Sequence, residues 1–127
     1  MKTNSGAALL ILCGLFFCAS IKAEAANAEN CLEIARTGMM AGGQNDICKF
    51  NGNLKEKLME LYRAKSCGNL VSAADLNKAA EEILDGMRSE YAQSGKKKFC
   101  SEARKYYFGD IKKFYEAQTE AYITGKD

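Results

Sequence analysis

From Ala28 onward, apolar residues recur every three or four positions and hardly ever every second one, which is the spacing of helix faces and not of strands. Residues of high helix propensity dominate, and the chain contains no proline to interrupt them. Short breaks rich in glycine and asparagine divide the pattern into four predicted helices.

The first covers about residues 28–42, with Cys31, Ile34, Ala35, Gly38, Ala41 and Gly42 on one face. The Gly38-x-x-x-Gly42 spacing lets a neighbouring backbone approach closely. "GGQNDICKFNGN" then ends this helix as a connector. It is not a calcium loop: an EF-hand centred on Gly52 would place Ile47, Lys49 and Leu58 at ligand positions. The second helix starts at Asn53, where Asn53 and Glu56 have capping-box spacing, and buries Leu54, Leu58, Leu61 and Tyr62. The third opens at Ser72, with Asp75 in the reciprocal capping place and Val71 poised to staple onto Leu76. Its core face continues through Ala80, Ile83, Met87 and Tyr91 to a stop at Gly95, while Lys78, Glu82, Asp85 and Ser89 follow the outward face.

On a wheel of about 100° per residue, the fourth helix (99–123) gathers its apolar residues within roughly 140°. They are Cys100, Ala103, Tyr107, Phe108, Ile111, Phe114, Tyr115, Ala121 and Tyr122. Two aromatics, Phe99 and Tyr106, fall outside that arc. With Lys113 they form an i, i+7, i+14 line next to the Lys96-Lys97-Lys98 run and Lys105. Aromatic area among cations suits contact with an acidic partner protein, because charge steers the encounter and apolar area holds it. Lys96, Lys97, Lys98, Phe99, Lys105, Tyr106 and Lys113 are therefore the candidate partner-binding residues. The competing reading packs Phe99 against the connection to the third helix and leaves the lysines solvated.

The beginning of the chain reads differently. Lys2 precedes an apolar run, "AALLILCGLFFCA", and Ala23-Glu24-Ala25 offers small residues where a signal peptidase cuts. Residues 1–25 are the expected secretory signal peptide, and residues 26–127 a single domain. The run falls short of the roughly 20 residues of a stable membrane span. Leu12 and Phe17 precede Cys13 and Cys18 where a lipidation site needs a small residue.

Four cysteines remain after cleavage: Cys31, Cys48, Cys67 and Cys100. In a short exported domain they are expected to be structural disulfides, and none is close enough to another for a C-x-x-C motif. If the first two helices form a hairpin about the 47–52 turn, Cys31 meets Cys67 at the open end. A returning third helix then brings Cys100 to Cys48. The predicted fold is thus all-α: a small four-helix up-down bundle stapled by Cys31–Cys67 and Cys48–Cys100.

Charge and composition narrow the function classes. The chain carries a net +2, and losing Lys2, Lys22 and Glu24 with the signal brings it to +1, too balanced for a dedicated nucleic-acid binder. It has no histidine, so neither a Ser-His nor a Cys-His nucleophile nor an imidazole zinc site is available. No catalytic residue, metal ligand or cofactor site is assigned. The expectation is a periplasmic or secreted, non-enzymatic protein that recognises another protein through a helix surface. The alternatives are an envelope chaperone-like protein and a carrier of a small ligand held between helices.

Overall fold

A computed structural model describes residues 2–126, with side chains from Ala25 onward. Apart from Ala25, the predicted signal peptide (1–25) lies outside the fully described residues. Three long helices occur among the described residues: α1 (Lys2–Cys48), α2 (Leu54–Ala64) and α3, with one short 3-10 turn at Cys67–Asn69 before the last. The last begins as an α-helix over Ala73–Tyr106, passes through one π-helical turn over Tyr107–Ile111, and ends as an α-helix over Lys112–Thr124. No strand occurs among the described residues.

The count is three, not the expected four, because the last two predicted helices are contiguous. Gly95 stands between them at φ 79°, ψ 163°, a conformation open essentially to glycine alone. It redirects the chain within α3 without a loop. The segments on either side (73–94 and 96–124) are called its first and second limbs.

Contacts fix the direction of each pass. Going up α1, Asn30 meets Lys65, Gly38 faces Met59 and Gly42 faces Lys55, so α2 runs antiparallel to α1. Arg36 pairs with Glu82 and Gly43 faces Met87, so the first limb runs parallel to α1. The second limb returns from Cys100 beside Cys48 to Gln118, whose Oε1 accepts from Asn30 Nδ2 at 3.0 Å. Passes therefore alternate in direction, though three helices make them.

α1 runs on to Cys48, past the stop expected at Gly42. Its glycines mark close approaches: a Cβ on Gly43 would lie 2.5 Å from Met87 Cε, and one on Gly38 2.8 Å from Met59 Cε. Packing against two neighbours outweighs the propensity cost of about 1 kcal/mol per glycine. The connector follows at 49–53. Asn45 clamps it with both ends of its amide, Nδ2 donating to Gly52 O at 3.3 Å and Oδ1 accepting from Gly52 N at 3.2 Å.

The two helix starts differ in how they are capped. Ser72 Oγ accepts from Asp75 N at 3.1 Å, and Val71 packs with Leu76, so α3 has its local cap and staple. Asn53 makes no side-chain cap. Instead the buried Tyr107 hydroxyl, from the π turn, accepts from Leu54 N at 3.2 Å. Gly52 lies against that same ring, where a Cβ would overlap the hydroxyl.

The core divides into three clusters. Ile34 and Ala41 of α1, Leu54, Leu58 and Leu61 of α2, and Tyr107 and Ile111 form the largest. Ile83, Met87, Phe99 and Ala103 form a second beside α1, backed by Met39, Met40 and Ile47. The third surrounds the Cys31–Cys67 bridge with Val71. The other bridge joins Cys48 to Cys100, and the two pairs are those the hairpin geometry brings together.

Candidate functional site

The candidate surface lies on the second limb, whose burial pattern sets what faces outward. Phe99, Ala103, Tyr107 and Ile111 are all buried, each four residues after the last. On a regular α-helix such a spacing drifts by about 40° per step, and the wider π turn absorbs part of the drift. A uniform wheel ignores that turn, and it therefore misplaces two aromatics. Phe99, expected outside the buried arc, is 4% exposed in the second cluster, with its ring centroid 5.7 Å from that of Tyr91. Phe108, expected inside, is 45% exposed.

Phe99 is accordingly removed from the candidate binding residues; it is part of the core. The other six are solvent-exposed. They do not form one patch around Phe99. Tyr106 stands over a groove beside α1, near Arg36 and Met40. By helix angle Lys97 lies opposite Tyr106 and beside Arg104 and Phe108, while Lys105 stands about 100° from both Arg104 and Tyr106 and closer to Phe108.

That second area holds the arrangement the sequence did not reveal. Arg104 Cζ sits 5.2 Å from the ring centroid of Phe108 and 5.9 Å from that of Phe50. Phe108 in turn meets Phe50 and Tyr107 edge-on, at 5.7 Å and 4.9 Å between centroids. An exposed phenyl ring is thus fixed from beneath by two aromatics and carries a guanidinium on its face. Such a cation–π contact is worth about 0.5–1 kcal/mol at the surface. The i, i+4 spacing of Arg104 and Phe108 was visible, but Phe50 comes from the connector, and its approach depends on the fold.

Electrostatically the site is a set of exposed cations, and among the described residues no carboxylate is buried. Tyr62 is the titratable group with a clear displacement: burial raises its phenol above the ordinary 10.0, and its hydroxyl has no hydrogen-bond partner among the described residues. Partly buried, it packs from α2 against two of the core clusters. Among the described residues, no three of His, Cys, Asp and Glu are grouped so as to hold a metal ion, and no helix is long and apolar enough to cross a membrane. No protein-family model, curated protein or solved structure matches this chain.

Proposed function

We propose that this is a small exported binding protein, without catalytic activity, that captures an acidic partner protein through the exterior of the second limb of α3. The supporting observation is the Arg104–Phe108 pair standing on Phe50. It presents a held aromatic ring and a planar cation at once, and both aromatic residues and arginine are enriched at protein interfaces. The exposed Lys97 shares its side of the limb and Lys105 borders it, adding like charge that speeds encounter with an acidic surface. The two disulfides fit a periplasmic or extracellular setting, where such bonds persist. The absence of histidine removes the usual neutral-pH acid–base group.

The test uses tagged, oxidised protein as bait in an envelope extract. Capture should be salt-sensitive and should disappear in the Arg104→Ala/Phe108→Ala double variant with an unchanged circular dichroism spectrum. Tyr106→Ala, on another side of the limb, should capture as well as the parent. Undiminished capture by the double variant would remove this surface from the function.

A further inference from the structure

Between the two limbs of α3, with α1 as its floor, lies a cleft of about 520 Å³, the size of a small-molecule site. Three features of it point to one kind of occupant. Its interior is apolar and adaptable, because Met40, Met87 and Phe99 line it and methionine moulds itself to aromatic surfaces. Its rim is acidic: Glu82, Glu90 and Glu102 face a single cation, Arg36, whose guanidinium is already held by Glu82 at 3.0 Å. This concentration of carboxylates stands out on a chain whose net charge is positive.

The third feature is Gln44. It lines the same cleft from α1, is 7% exposed, and its Oε1 has no hydrogen-bond partner among the described residues. A buried acceptor without a donor is costly, and native proteins keep few of them. Met40 and Met87 line the cleft together with Gln44, and their unbranched side chains can shift to admit a donor to it.

We propose that this cleft binds a primary arylalkylamine whose ring carries a neutral hydrogen-bond donor. The ammonium lies among the rim carboxylates, the ring rests on the methionines and Phe99, and the donor meets Gln44 Oε1. An anion is disfavoured by the three glutamates, and so is an amino acid, whose own carboxylate would face them. A purely apolar ligand leaves Gln44 unmet. The inference does not rest on the partner surface, since neither Arg104 nor Phe108 lines the cleft.

Calorimetric and methionine-methyl NMR titrations of the oxidised protein with tyramine and with phenethylamine, which lacks the phenolic donor, test it. Tyramine should bind with sub-millimolar affinity and shift the Met40 and Met87 methyl signals, leaving that of Met59 in place. Phenethylamine should bind about tenfold more weakly. Gln44→Leu should abolish that preference, and Glu102→Gln should weaken both amines several-fold. Equal affinity for the two amines, an unaltered preference in Gln44→Leu, or no methyl shift with tyramine would overturn the proposal. Should Gln44→Leu fail to fold, the comparison of amines on the parent and on Glu102→Gln, an exposed position, still decides it.

Discussion

The half of the molecule made by α1, α2 and the second limb is sealed, whereas the half made by α1 and the first limb is open. In the sealed half, Ile34, Leu58, Tyr107 and Ile111 are almost wholly buried, and Gly52 fits under a tyrosine ring with no room for a methyl group. In the open half, the first limb buries only Ala79, Ile83 and Met87. Leu84 and Tyr91 stay exposed, and open space surrounds Gly86. Each end of the open half is nevertheless tied down, because Cys67 precedes the first limb and Cys100 follows it. Covalent constraint there takes the place of packing. That is how so small a chain can keep a cleft that a fully packed bundle would fill.

The largest expected effect comes from cutting those ties. The bridges close loops with sequence separations of 36 and 52, for which chain-entropy reasoning gives about 4 kcal/mol each. Replacing Cys48 and Cys100 with alanine should lower the urea midpoint sharply. Hydrogen exchange should show protection lost first from the first limb. A first limb as protected as α2 in that variant would break the distinction between the halves.

Glycine-to-alanine substitutions come next, and they should differ in sign. Gly52→Ala should destabilise by about 1–3 kcal/mol through overpacking against Tyr107. Gly86→Ala, with no atom in its way, should stabilise by about 0.4–1 kcal/mol. Urea denaturation of both resolves the two signs.

Matched deletions sharpen the contrast further. Ile→Val costs about 0.5–1.5 kcal/mol in a core. Ile34→Val, at 0% exposure, should fall at the upper end, and Ile83→Val, at 7% beside the cleft, at the lower. Equal losses would mean that the open half is packed as tightly as the sealed one.

The smallest effect is alkaline. Burial raises the Tyr62 phenol in the folded protein, so near pH 10 the unfolded chain gives up its proton first. The stability this group supplies is complete below that point and is lost as pH rises through the folded value. Tyr62→Phe should flatten that part of the alkaline decline, seen in midpoints measured on either side of pH 10, and change little at neutrality.

The features legible in the sequence were those carried by local spacing. Helical periodicity, the Ser72 start with its Val71–Leu76 staple, and the role of Gly95 as a break could all be read from neighbouring residues. Even the cysteine pairs followed, because Cys31 and Cys67 lie symmetrically about the turn. What escaped depended on residues distant in sequence or on irregular backbone. Asn53 has the right spacing for a cap, but Tyr107 takes that place from 53 residues away. Phe99 and Phe108 exchanged surface and core because the π turn breaks the uniform wheel. Gln44 was lost in a supposed turn, since two glycines that signal a stop in isolation here admit Lys55 and Met87. The stacked Arg104 needed Phe50 from the connector, so half of the candidate surface had no sequence signature.

The hydroxyl that completes α2 also imposes an order on assembly. Ribosomes deliver a chain from its amino end, so Leu54 emerges well before the tyrosine that will receive its amide hydrogen. Until that tyrosine is made, 53 residues later, the second helix has an unfinished end, and the hairpin of α1 and α2 waits on a distant segment.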